Sequence, residues 1–212
     1  SSIRTKDKRV TFVENIKTIP QKLISFSFSI PHSLAVYAKA GETLNIQYEL
    51  APINNKNRSF CELSVFSDNG DLINNNSLES NKKQVSVKFP KDGRYEIKLK
   101  PGNSVLTVKI KSQLTIALKS FAKLRKFPER LYIYCPKDLK EIAVEFKRSS
   151  QLEIYDSNNK KLPVKKVGDD LHKLDTRANK SAFYGFRAKS GYFSFLNVPA
   201  YYYFQPTKVV FE

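Results

Sequence analysis

The chain has 212 residues, with 37 Lys and Arg against 20 Asp and Glu for a formal charge of +17, 41% hydrophobic residues, two Cys, and neither Trp nor Met. This apolar content suffices for a packed core and excludes a disordered basic tail as the source of the charge, and no apolar run approaches the roughly 18 residues that span a bilayer. The start, Ser1-Ser2-Ile3-Arg4, lacks the succession of basic, apolar and small residues of a secretion signal, and the absence of Met reads as a processed or excised chain.

Period-two alternation of apolar and polar residues dominates the chain and predicts strands with one buried face. Ile24, Phe26, Phe28 and Ile30 alternate with serines, and Leu44, Ile46, Tyr48 and Leu50 alternate with Asn45, Gln47 and Glu49. Further strands are expected at Val85 to Phe89, Tyr95 to Leu99 and Leu106 to Ile110. Between them, Pro90-Lys91-Asp92-Gly93 and Pro101-Gly102-Asn103-Ser104 carry turn chemistry: Pro presets one torsion, and Gly or Asn accepts positive φ. Gln113 to Phe127 reads either as a short helix, with Leu114, Ala117, Leu118 and Phe121 on one face, or as a strand followed by a connector.

The second half repeats the pattern. Ile142, Val144 and Phe146 alternate with polar neighbours, Gln151 to Tyr155 runs into the turn Asp156-Ser157-Asn158-Asn159, and aromatic-rich strands are expected near 182–188, 192–197 and 207–211. Ser67 to Leu72 and Asp156 to Leu162 both read as Asp/Asn turns that open hairpins. Short strands with antiparallel-type turns and no intervening helices indicate sandwiches rather than a doubly wound sheet. The expected fold is all-β, two tandem antiparallel β-sandwiches of jelly-roll type. Residues 1–22 form an extension or edge strand, 23–112 the first sandwich, 113–126 a linker and 127–212 the second.

Catalytic chemistry has little support. The only histidines are His32 and His172 and the only cysteines Cys61 and Cys135, at spacings that put no ligand pair on one element. The cysteines read as two buried free thiols. Asp169-Asp170-Leu171-His172 reads as a solvated loop, and seven glycines leave few places for a phosphate-cradling loop. Asp68, Asn69, Asp71 and Asn74 supply the hard oxygens that calcium uses, without EF-hand spacing; structural calcium is the one cofactor worth considering, and normal turn chemistry accounts for the same residues.

The charge is dispersed. Residues 1–124 hold 20 Lys and Arg against 10 Asp and Glu, residues 125–212 hold 17 against 10, and Lys outnumbers Arg 28 to 9. Forked recognition of phosphate or guanine favours Arg, and no zinc finger, helix-turn-helix or RNA-recognition motif is present, so specific nucleic-acid recognition is not expected. Salt-sensitive attraction to polyanions is expected. If Pro101 to Ser104 closes a tight hairpin, Glu96 faces Lys109; if Pro90 to Arg94 forms the preceding loop, Phe89 faces Tyr95 and Lys88 also faces Glu96. Lys88, Glu96 and Lys109 then form one row, surrounded by Arg94, Lys98, Lys100 and Lys111. The row reads either as cross-strand pairing with edge lysines that discourage aggregation or as a basic face for a polyanion.

Tyr192, Phe193, Phe195 and Tyr201-Tyr202-Tyr203-Phe204 concentrate aromatics near the C-terminus. Four in a row on a strand cannot all point inward, so Tyr201 and Tyr203, with Tyr192, are expected either to stack on sugar rings or to pack a neighbouring domain. Asn57-Arg58-Ser59, Asn75-Asn76-Ser77 and Asn179-Lys180-Ser181 match glycosylation acceptors, as chance allows in an Asn-rich chain.

Leu131-Tyr132-Ile133-Tyr134-Cys135-Pro136-Lys137, Val144-Glu145-Phe146, Glu153-Ile154-Tyr155-Asp156 and Phe195-Leu196-Asn197-Val198-Pro199 resemble the β-sandwich accessory domains of secreted bacterial hydrolases, of the carbohydrate-binding jelly-roll kind. Gly41-Glu42-Thr43-Leu44 and Asp92-Gly93-Arg94-Tyr95-Glu96-Ile97 resemble the related pre-peptidase C-terminal type. Together these stretches reach over most of 24–110 and 130–211; where such second domains often carry Trp, this chain has Phe183 and Tyr184. The resemblance implies an extracellular or cell-surface setting and partners among acidic glycans, cell-surface polymers and other domains of the same precursor. The expected function is a non-catalytic binding or accessory module for acidic polysaccharide; the alternatives are a structural spacer or protein-interaction module, and a glycan-active hydrolase.

Overall fold

The computed structural model describes residues 10–13, 16, 22–54, 58–119, 122–147, 152–178 and 180–212. Every regular element among them is a β-strand. In chain order these are β1 (Val10–Phe12), β2 (Ile24–Phe28), β3 (His32–Ala38), β4 (Thr43–Pro52), β5 (Phe60–Ser67), β6 (Leu72–Glu79), β7 (Gln84–Lys88), β8 (Gly93–Gly102), β9 (Ser104–Ile110), β10 (Thr115–Lys119) and β11 (Ala122–Leu124). The second half continues with β12 (Leu131–Tyr134), β13 (Glu141–Lys147), β14 (Glu153–Tyr155), β15 (Lys161–Leu162), β16 (Lys165–Lys166), β17 (Leu171–Asp175), β18 (Phe183–Arg187), β19 (Gly191–Phe195), β20 (Tyr201–Tyr203) and β21 (Val209–Phe211). The expectations for residues 1–9, Asn57, Phe121, Gln151 and Asn179 lie outside the described residues.

All strand pairs are antiparallel. The alternation expected from the sequence is what buries one face of each strand: Leu44, Ile46 and Tyr48 of β4 point inward, while Thr43, Asn45, Gln47 and Glu49 are exposed. Ten strands join in the order β15-β14-β18-β12-β20-β10-β3-β8-β5-β6. A four-stranded sheet, β2-β9-β4-β7, and a five-stranded sheet, β11-β19-β13-β17-β16, lay their inward side chains into the same apolar cluster as the ten-stranded sheet, a sandwich layering. The hairpins β5–β6 and β14–β15 form at the two Asp/Asn turns, with Asp156 Oδ1 accepting the backbone N–H groups of Asn158 and Lys160, each at 2.9 Å.

Two expectations are corrected. The segment 113–126 is not a linker: it carries β10 and β11, and β10 sits inside the ten-stranded sheet, with Leu118 opposite Leu34 of β3 and Tyr202 of β20. Ile116 and Leu118 face the main core and Ala117 the opposite face, so period two prevails over the helical reading because sheet neighbours on both edges satisfy the backbone of β10. Secondly, β8 and β9 do not form a hairpin. β8 pairs with β3 and β5, and β9 with β2 and β4, so residues 101–104 carry the chain from one sheet to the other. Asn103 takes a φ of 47° there, and Ser104, fully buried, donates its hydroxyl toward the carbonyls of Phe60 and Gly102 at 3.0 and 3.1 Å.

The ten-stranded sheet is covered on a second face as well. Ala35, Ala117, Phe183, Tyr201 and Tyr203 point away from the main core and meet Val210 and Phe211 of the β1–β21 ribbon. The run Tyr201 to Tyr203 therefore alternates as expected, yet all three rings are buried, because the outer face has a cover of its own.

Candidate functional site

The outer face of the four-stranded sheet carries Lys88 and Lys109 of the residues anticipated to bind, with Lys111 directly after β9. Its rows run Ser25–Lys109–Gln47–Gln84 and Ser27–Thr107–Glu49, followed by Asn45–Ser86 and Thr43–Lys88. Lys111 follows β9, Lys83 precedes β7, and Lys126 bridges to Ser27 through backbone hydrogen bonds. Glu49 is the only carboxylate among the outward side chains of these four strands. Lys109 Nζ donates to Glu49 at 2.6 Å, and this bond, with the Lys109 charge and then those of Lys83 and Lys126, holds the Glu49 carboxyl below its usual range. Glu49 thus has Lys109, Lys83 and Lys126 as cationic neighbours, while Lys111 and Lys88 lie farther along the same face, in a flat field of hydroxyl and amide groups that both donate and accept.

The remaining anticipated residues disperse. Lys88 and Lys109 are in the four-stranded sheet and Glu96 in the ten-stranded one, so their expected row does not exist. Lys98 and Lys100 line a separate hollow of about 370 Å³ where positive charge is largely matched: Lys100 lies 3.7 Å from Glu62, Lys119 lies 2.7 Å from Glu96, and Lys98 stands over the Phe66 ring at 4.8 Å. Arg94 is buried, 3.6 Å from Asp68 and 5.5 Å from the ring centres of Tyr201 and Phe211, so it offers no surface cation. Tyr201 and Tyr203 are buried and present no open ring face. Tyr192 is half-buried on β19, with Lys147 Nζ 5.9 Å from its ring. Of the oxygens considered for calcium, Asp68 faces Arg94, while Asn69 and Asp71 belong to the β5–β6 turn, in which Ser67 N–H donates to the Asp71 carbonyl at 2.9 Å. Cys61 and Cys135 are buried free thiols.

Sequence reasoning missed a cleft of about 520 Å³ between Ile16 and Lys22 to Ile24 near the N-terminus, the entry to β12, the β14–β15 turn and the segments around β18 and β20. Tyr132, Phe183 and Phe204 contribute aromatic lining, and Ser157, Asn158, Ser181 and Gln205 contribute polar groups. Arg130 is the organised cation here. A Cβ on Gly185 would meet Arg130 Cδ at 2.5 Å and Tyr132 Cε1 at 3.2 Å, so the missing side chain is what lets both residues lie down on β18. The Arg130 guanidinium sits 3.9 Å from the Tyr155 ring centre and donates to Asn159 Oδ1. Among the described residues neither Arg130 nor Lys180 has a carboxylate partner, whereas Lys22 is paired with Glu129 at 3.2 Å. The sequence signal was Gly185 itself, a glycine inside the aromatic strand Phe183-Tyr184-Gly185-Phe186.

No protein-family model and no curated protein matches the chain. Among solved structures it is similar to the crystal structure of dimeric latent PorU from Porphyromonas gingivalis, at 12% identity and a TM-score of 0.26, over 94% of this chain and 22% of that one. The chain thus spans about a fifth of the length of that protein.

Proposed function

We propose that this chain is a non-catalytic accessory module that holds an acidic polysaccharide, or another polyanionic surface polymer, on the outer face of the β2-β9-β4-β7 sheet in an extracellular setting. The observation that carries the reading is the run of Lys83, Lys88, Lys109, Lys111 and Lys126 on or directly beside these four strands, with Lys109, Lys83 and Lys126 close to Glu49, the only carboxylate within the strands. Lysine ammonium groups bind sulfate or carboxylate groups as mobile point charges, which suits a repeating polymer rather than one fixed pose. Ser, Thr, Asn and Gln between them match sugar hydroxyls in donor and acceptor capacity.

The test is elution from an immobilised sulfated glycan. The triple variant Lys88→Gln/Lys109→Gln/Lys111→Gln is expected to elute at clearly lower salt than the wild-type chain, and Lys137→Gln/Lys140→Gln/Lys165→Gln, which removes the same charge elsewhere, is expected to shift far less. Equal shifts for the two triples would reduce the binding to net charge alone and remove the proposed face.

A protein-interaction role has one observation of its own. β6 is the open edge of the ten-stranded sheet, eight residues long with neither Lys nor Pro, and Leu72 is 57% exposed on it. Edges of this kind accept an added strand. A blank glycan array at both low and moderate salt would favour that role.

A further inference from the structure

We infer that the cleft around Arg130 is a second binding site, separate from the lysine face, and that it takes a single carboxylate-bearing sugar unit. The inference extends the proposed acidic-glycan function but uses none of the five lysines of the sheet face.

Three features point to this ligand class. The first is a prearranged guanidinium. Arg130 is seated over Gly185, stacked on Tyr155 and tied to Asn159, which is itself held at a φ of 68° in the β14–β15 turn. An arginine has five N–H donors. Among the described residues Arg130 has one protein acceptor, Asn159 Oδ1, so donors remain for a planar carboxylate, which the fork geometry of guanidinium matches in a way that ammonium does not. Restricting the side chain before binding removes much of the rotamer cost of recruiting it.

The second feature is the charge balance. The lining includes Lys22, Arg130 and Lys180 with Glu129 and Asp156. Lys22 and Glu129 neutralise one another, and Asp156 Oδ1 is turned into its own loop, where it accepts two backbone N–H groups. The Asp156 charge remains, so the lining carries one net positive charge, with Arg130 and Lys180 as the cations that have no carboxylate partner among the described residues.

The third is the combination of apolar and polar walls at a size, about 520 Å³, that is ordinary for small-molecule sites. Tyr132 is half-buried and lies on the same side of β12 as Arg130, two residues away, so a pyranose carboxylate at Arg130 brings the sugar ring toward the Tyr132 ring. Ser157 and Ser181, whose hydroxyls lie 3.3 Å apart, and Gln205 offer partners for ring hydroxyls.

The experiment titrates the whole chain with tetragalacturonate and with its fully methyl-esterified form, following backbone amide shifts. Tetragalacturonate is expected to shift the amides of Ser157, Asn158 and Ser181, and the ester, which keeps every ring and loses every charge, is expected to leave them unmoved. Arg130→Ala should weaken binding by about tenfold or more, and Arg130→Lys should recover little of it because the charge returns without the fork. Amide spectra that otherwise superpose on the wild type show that these half-exposed substitutions leave the fold intact, with Tyr132→Ala as an independent variant expected to weaken binding as well. Equal binding of acid and ester, or unchanged affinity in Arg130→Ala, overturns the inference. The sheet-face triple variant separates the two readings: cleft shifts that persist in it support the cleft site whatever becomes of the lysine face, and shifts that vanish in it but survive Arg130→Ala overturn the cleft site alone.

Discussion

His32 Nε2 accepts the backbone N–H of Lys123 at 3.1 Å, while its Nδ1 donates to the Ile30 carbonyl at 2.9 Å. This ties β3 to β11 and requires a neutral ring with the proton on Nδ1, because Nε2 must be an acceptor. Burial lowers the His32 pKa from its ordinary 6.5, opposed by the hydrogen bond to Ile30. The unfolded chain therefore takes up a proton first as pH falls. The contribution of His32 to stability is complete above about pH 6.5 and is lost as pH drops from there toward the lowered folded value. Urea midpoints should fall over this window with a slope approaching that of one proton, about 1.4 kcal/mol per pH unit at most. His32→Gln should flatten that limb; an unchanged acid limb in the variant would assign it to other groups.

The hydroxyl of Tyr203 is the acceptor for the backbone N–H of Phe211 at 2.8 Å, and both residues are buried. Tyr203→Phe leaves that N–H buried without its partner and should cost about 1–3 kcal/mol. Amide exchange at Phe211 should speed up more than exchange at Leu34 or Ile97, which lie in the centre of the large sheet. Uniform acceleration across all three would mean that the ribbon does not open separately.

Burial pushes the Cys61 thiol up to about 12 and the Cys135 thiol up to about 11. Thiolate is the reactive form, so neither should react with a disulfide reagent at pH 8 in the folded protein, and both should be titrated in denaturant. Rapid labelling of either thiol before unfolding contradicts the buried placement.

Glu49 and Lys109 form an exposed pair, with side chains 62% and 35% accessible, so their bond adds little to stability. Glu49→Gln should leave the melting temperature nearly unchanged while moving elution from a sulfated glycan to higher salt, since it releases Lys109 and removes the carboxylate beside Lys83 and Lys126. Elution at the same or lower salt would place the binding surface elsewhere.

The inward set of each strand was legible in the alternation: Phe26 and Phe28, Leu44 and Ile46, Leu106 and Val108 are buried as their parity demands. The neighbours of each strand were not. Ile97 and Leu99 point into the core whether β8 pairs with β9 or faces it from another sheet, so the pattern is silent about the connection at residues 101–104. Phe89 and Tyr95 illustrate this: their rings meet at 4.7 Å as anticipated, but across the two sheets rather than between paired strands. The cleft was less legible still, because Arg130, Tyr155, Asn159 and Gly185 are brought together only by the pairing of β12, β14 and β18.

The sequence by itself determined an antiparallel all-β chain, the inward face of each strand and the sites of the Asp/Asn hairpins, because side-chain parity and turn torsions are local properties. Tertiary structure alone decided which lysines share a surface and which aromatics are left open. Arg94 and Lys98 differ by four residues on β8 and point to the same side, yet the β1–β21 ribbon covers the first and leaves the second in water. Charge acts over distances in space rather than along the chain, so a count of +17 acquired a location only when the strands were placed.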